Sequence, residues 1–332
     1  MSIDIKTMNV EPKRHTFAHV ARRLGSDAPA SRYEEGVYDL QATTHFHYRP
    51  LWGPEHWHFD EGRTAIKMED WYKFKDPRQF YYGTYTIARA NMHQTTERNF
   101  AFEEKRNMLA NIDPSWREMI VNYLIPLRHY EWGANMNACS ISDAGYGTAI
   151  TSAAIFTAGD RLGIAQIISR IGMALSSGDG ELLDEAKTQW MEAPEWQGMR
   201  KTVEDTLVLK DWFEGLLAQF LVMDGLVYPL VYNHFDTEGQ KHGAAALSML
   251  CEFMVDWNTE HNRWVDAVIK VAAKESDDNQ ALLSEWYRQW REVTVEALQP
   301  LAGMVLGDGA ETAMAEVSEQ LDLRAGKLGL TV

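Results

Sequence analysis

Residues 125–138, IPLRHYEWGANMNA, carry the question on which the fold reading turns. A His followed by small and amide side chains suits the inner wall of a helical bundle, where Glu-x-x-His sets two metal ligands on one face. The residue three before His129 is Pro126. Proline offers no ligand, lacks a backbone donor and kinks a helix. The stretch has the outline of a ligand helix without its carboxylate. Among Leu127, Tyr130, Trp132 and Ala134, His129 reads as a hydrogen-bonded core histidine, and Glu131, two residues on, points elsewhere.

The surrounding sequence is helical in the same manner. Asp76-Pro77 and Asp113-Pro114 each pair an N-cap acid with a proline at the first helical position, where its missing N–H would have been orphaned anyway. They predict one helix from 77 towards 109, roughly 50 Å long, and another from 114 to about 142. The helical pattern continues to about 175, breaks at SSGDGE, and resumes near 181–191, 195–235, 240–274, 276–299 and 309–325. Strand-like alternation is nearly absent, so the class is all-α with long bundle helices. Residues 1–65 differ. The run YDLQATTHFHYRPLWGPEHWHFDEG mixes aromatics, His, Pro and Gly without a sustained helical period, and predicts an extended arm, 1–65, ahead of a helical domain, 66–332. Aromatics in that density seek a groove, on this chain or on another.

Composition narrows the function classes. Of 332 residues, 45% are hydrophobic and 11% aromatic, which suits a globular protein with a large core. The 48 acidic against 32 basic residues leave a net charge of −16, which repels phosphate backbones and anionic membranes. Neither nucleic acid nor a membrane is an expected partner. The most apolar stretch, GLLAQFLVMDGLVYPLVY, is interrupted by Gln219, Asp224 and Pro229, and reads as a core helix. Cys139 and Cys251 lie far apart without Cys-x-x-Cys spacing, which fits buried thiols in a reducing compartment. The N-terminus lacks the apolar core of a signal peptide, and the expected location is cytoplasmic.

A di-iron bundle needs two helical Glu-x-x-His motifs and two further helical Glu residues. One literal Glu-x-x-His exists, Glu55 to His58, and it sits in the arm after Gly-Pro. The arm's His45, His47, His56 and His58 could take zinc, but no Cys or spacing supports it; a packed aromatic arm is the better reading. Asp224 and Asp256 interrupt apolar helical stretches, and each needs a partner there, because an unpaired acid in an apolar core costs several kcal/mol. Phosphate-binding loops, dinucleotide fingerprints, serine nucleophile elbows and iron–sulfur cysteine sets are all missing from the sequence.

DPRQFYYGTYTIARANMHQTTERNF, PLRHYEWGANMNACSISDAGYGTAI and LVMDGLVYPLVYNHF together resemble the β subunit of bacterial multicomponent di-iron monooxygenases, most closely the phenol hydroxylase type, the L component of its oxygenase. The resemblance runs over nearly the whole chain. It implies a ferritin-like fold without the di-iron site: the family's lost ligand positions fall here on Pro126 and His129, near Asp224, and near Asp256 and Thr259. It implies no catalytic, cofactor or metal residue in this chain, and a di-iron centre in a partner α subunit that hydroxylates phenol. The chain would be a structural scaffold in a paired αβγ assembly served by regulatory and reductase components. Two other readings stand beside it. One is a metal-dependent oxidase using His129, Asp224, Asp256 and the arm; the other is a free-standing helical binding protein.

Overall fold

The computed structural model describes residues 16–332 except 27, 52 and 177. Among the described residues every regular element is helical. The arm carries two short helices that its sequence did not announce, α1 (Ala18–Leu24) and α2 (Arg32–Val37). A reciprocal cap opens α2: the Ser31 hydroxyl accepts from the Glu34 amide while the Glu34 carboxylate accepts from the Ser31 amide. This part of the arm lies on its own body. Arg23 pairs with Asp39 and Asp70, the Tyr33 hydroxyl accepts from the Asp76 amide, and the Thr148 hydroxyl donates to the Val37 carbonyl.

The body begins with α3 (Tyr82–Arg106), five residues later than the Asp76-Pro77 pair predicts. The cap was misread because the Asp76 carboxylate is engaged by the guanidinium and the amide of Arg78, making a turn instead of a helix start. Asp113-Pro114 does open α4 (Pro114–Met119), although the Asp113 carboxylate bonds the His242 ring and caps no amide of its own helix. A π-helical turn, Ile120–Leu124, then leads through Pro126 into α5 (Leu127–Ala144). Pro126 cannot donate to the Asn122 carbonyl, and the Trp196 indole N–H takes that carbonyl at 2.8 Å. The proline is accommodated by a wide turn and a borrowed donor.

Next come α6 (Thr148–Leu175), α7 (Glu181–Glu192) and α8 (Pro194–Thr206), the last ending well short of the single 195–235 helix expected. Asp211 starts the central helix afresh, its carboxylate accepting from the amides of Phe213 and Glu214 and from that of Ala65. That helix is built from α9 (Trp212–Leu216), α10 (Asp224–Pro229) and α11 (Asp236–Gln240), joined by π-helical stretches at Leu217–Met223 and Leu230–Phe235. By length and composition it could cross a membrane, but 83% of its most apolar window is buried inside the protein. It is the core helix.

Around it pack α5, α6, α12 (Ala245–Leu250), α13 (Glu252–Glu275), α14 (Asp277–Leu306) and α15 (Ala310–Lys327). The junction of α5 with α8 is close: a Cβ on Gly133 would stand 2.4 Å from Cγ1 of Val203. Trp196, Trp257 and Trp264 are fully buried. Truncating any of them would cost about 3–5 kcal/mol, which makes the bundle interior the principal source of stability.

Candidate functional site

At the centre of the bundle three helices deliver charged groups, and a fourth an indole ring, to one point. Glu131 comes from α5, Arg161 from α6, Asp224 from the start of α10, and Trp257 from α13; exposure is 2% for Glu131 and 0% for the other three. One guanidinium nitrogen of Arg161 donates to Glu131 at 2.8 Å and to the Tyr228 hydroxyl at 3.0 Å, and the other donates to Asp224. The cation also lies over the Trp257 ring, 4.4 Å from its centroid.

Hydroxyl and amide groups complete the shell. Tyr130 donates to Asp224 at 2.6 Å, and Tyr228 donates to Glu131 at 2.9 Å. Gln219 donates to both Tyr130 and Asp224, and Asn137 donates to Gln219 and to Thr206. A continuous chain of polar groups therefore runs from Thr206 to Glu131 through the core. Burial lifts both carboxyl groups above the ordinary carboxylate range against the pull of Arg161. Arg161 itself stays charged, because two carboxylates outweigh the burial that opposes its charge.

A second cluster lies beside the first. Arg89 of α3 makes two bonds to Asp160 of α6, at 2.7 and 2.8 Å, and reaches Glu260 of α13; the Trp257 indole N–H and the Tyr85 hydroxyl also donate to Asp160. Further along α13, His261 is fully buried, stacked on Trp257 at 4.5 Å and edge-on to Phe220, and neither ring nitrogen has a partner. Burial holds its pKa well below the ordinary value, and the nearby arginines push the same way.

Of the positions matched to the family's ligands, only Asp224 belongs to this centre. His129 corrects the inward reading: it is half-buried on the outer side of α5, 5.8 Å from Trp190, with its Nε2 unpartnered. Burial there, reinforced by Arg128 and Lys187, depresses its pKa to about 4. Asp256, expected in a setting like that of Asp224, is exposed on α13, as is Thr259. The helix turns Trp257 and His261 inward, so positions 256 and 259 fall on the outer face. Pro126 is buried at the turn into α5. Glu131 does point away from His129, and that direction is the interior. In the arm, Phe46, Tyr48, Trp57, His58 and Phe59 pack on one another, and His56 bonds Asp60.

Two oxygen-activating irons require about four carboxylates and two imidazoles turned inward. This centre offers two carboxylates, each already bonded to Arg161, and no imidazole bonded to either. Among the described residues no group of three or more His, Cys, Asp or Glu is arranged to hold a metal ion. These residues do not fit a di-iron centre. The sequence signal that could have located the cluster is the Asp160-Arg161 pair in the middle of a largely apolar helix, which demands buried partners just as Asp224 does.

Fold and centre together define a ferritin-like bundle whose interior is closed by an arginine–carboxylate network. The chain belongs to the methane/phenol/alkene hydroxylase family, whose sequence profile matches residues 52–276. The phenol 2-monooxygenase oxygenase component DmpL of Pseudomonas sp. (strain CF600) is 47% identical over 330 residues, 99% of this chain and 98% of that one. The hydroxylase component subunit beta of the toluene-4-monooxygenase system of Ectopseudomonas mendocina is 22% identical over 74% of this chain and 75% of its own length. A solved phenol hydroxylase from Pseudomonas sp. OX1 superposes with a TM-score of 0.94 at 46% identity, covering 99% of each chain. These relatives are named as components or subunits of phenol and toluene monooxygenase systems.

Proposed function

We propose that this chain is the non-catalytic β subunit of a phenol hydroxylase oxygenase, a scaffold for a larger α subunit that carries the di-iron centre. One observation carries the non-catalytic reading: the space a ferritin-like bundle would give to metal holds the guanidinium of Arg161, bonded to Glu131 and Asp224. The end-to-end similarity to phenol 2-monooxygenase components supports the choice of system. The competing reading, an oxidase in its own right, needs His129, Asp224 and Asp256 to converge, and two of the three sit on outer faces.

In this proposal α, β and a γ subunit form a paired αβγ assembly, served by regulatory and reductase components in the cytoplasm, and residues 1–65 act as its arm. Metal analysis of the purified assembly, chain by chain, tests it. Iron is expected to follow the larger chain, and the isolated β chain is expected to leave phenol unchanged. Stoichiometric iron in this chain, or phenol hydroxylation by it alone, would overturn the proposal.

A further inference from the structure

We infer that the cleft where the central helix meets α12 and α13 is a binding site for a neutral, alkyl-substituted phenol, independent of the function proposed above.

The first indication is space. Val231 and Phe235 of the central helix, Leu247 and Met249 of α12, Leu124 and Val255 wall a cleft of about 430 Å³. A cavity of roughly 150 Å³ is enough to hold benzene. This cleft has room for a ring and a short alkyl chain. Its aromatic walls are held from behind: Phe235 packs on Trp116 at 4.9 Å and on Tyr123 at 5.0 Å, and Tyr232 leans on Tyr228 at 5.2 Å. A pocket formed in advance costs its ligand little ordering.

The second indication is a pair of idle polar groups. Tyr232 and Cys251 both line the cleft, and neither the hydroxyl of one nor the thiol of the other has a hydrogen-bond partner among the described residues. Burial, and after it the neighbouring Cys251, keeps the Tyr232 hydroxyl protonated; burial does the same for the thiol. The interior is thus uncharged, with a hydroxyl free both to donate and to accept.

The third is charge. The charged residues of the lining are Asp236, Glu252 and Asp256, with no Lys, Arg or His to offset them, so an anion is repelled. Asp236 already accepts from Ser248 and Gln240, and Glu252 from Asn99. Glu252 and Asp256 are exposed to water. An ammonium group seated deeper would exchange its hydration for a neutral wall, which is costly. A phenol brings a ring to the apolar walls and an uncharged O–H to Tyr232.

Equilibrium dialysis of the full chain against 4-propylphenol tests this. One equivalent is expected to bind, at least tenfold more tightly than phenol, since each buried methylene is worth about fourfold. Both 4-propylbenzoate and phenethylammonium are expected to bind at least tenfold more weakly than 4-propylphenol. Val255→Trp, which fills the cleft from an exposed position of α13, is expected to weaken binding tenfold or more with the helical circular dichroism intact. Tyr232→Phe is expected to weaken 4-propylphenol severalfold and leave propylbenzene unchanged. If Val255→Trp does not fold, the Tyr232→Phe comparison decides. If the chain alone does not stay in solution, crystals of the complex it purifies with, soaked in 4-bromophenol, decide by an anomalous bromine peak beside Tyr232. Absent binding, an absent peak, undiminished binding by folded Val255→Trp, equal effects of Tyr232→Phe on the two ligands, or tighter capture of phenethylammonium would overturn the inference and leave the proposed function intact.

Discussion

Arg161 sits where two carboxylates, a tyrosine hydroxyl and an indole face converge without water-exposed surface. Removing one partner from such a group strands the others. Arg161→Met is therefore expected to lower unfolding stability by about 3–5 kcal/mol in urea titrations. Adding Glu131→Gln and Asp224→Asn to that variant is expected to recover half or more of the loss, since neutral amides need no counter-charge. His261 works through protons. Its folded pKa lies well below its ordinary value of 6.5, so on acidification the unfolded chain takes up a proton that the folded chain refuses. Stability from this group is complete above pH 6.5 and declines as pH falls below it, with a slope of up to about 1.4 kcal/mol per pH unit. The raised carboxyls of Glu131 and Asp224 act in the opposite sense, so the comparison must be between variants. Between pH 7 and acid pH the parent is expected to lose more stability than His261→Phe; parallel profiles would contradict the assignment.

At the scale of elements, the helices are held at distances that individual side chains set. Gly133 lets α5 approach α8, with Val203 occupying the space a Cβ would need. Gly133→Ala is expected to cost about 1–3 kcal/mol in thermal unfolding, and Val203→Ala in the same chain to relieve most of it. Trp196→Phe keeps the ring but removes the donor to the Asn122 carbonyl, and is expected to cost about 1–3 kcal/mol, because Pro126 cannot take its place. Helix identity was legible from the sequence wherever apolar spacing is sustained, as in α6 and α13. Boundaries were less so. Asp76 and Asp113 precede proline alike, yet Arg78 diverts the first carboxylate into a turn. The two short arm helices were hidden because their six or seven residues are too few to establish a period.

For the whole molecule, the all-α bundle could be read from residue types alone, while the charged network at its centre could not. A sequence states that Arg161 and Asp224 are charges in apolar surroundings; that Arg161 meets both Asp224 and Glu131 is decided by packing across segments 30 to 63 residues apart. His129 misled for a related reason: a histidine among aromatics looks like core until helix rotation sets it outside. The assembled oxygenase is expected to unfold at a higher temperature than the isolated chain, with the midpoint rising as larger subunit is added, since a partner that binds only the folded state stabilises it by mass action. A midpoint indifferent to partner concentration would argue against a scaffold.

An ion can be stripped by a chelator or withheld by starvation, and a bundle organised around one softens when it leaves. The positive charge at the heart of this chain is covalently attached and arrives with translation. Chelation is therefore expected to leave the unfolding midpoint of this chain where it was.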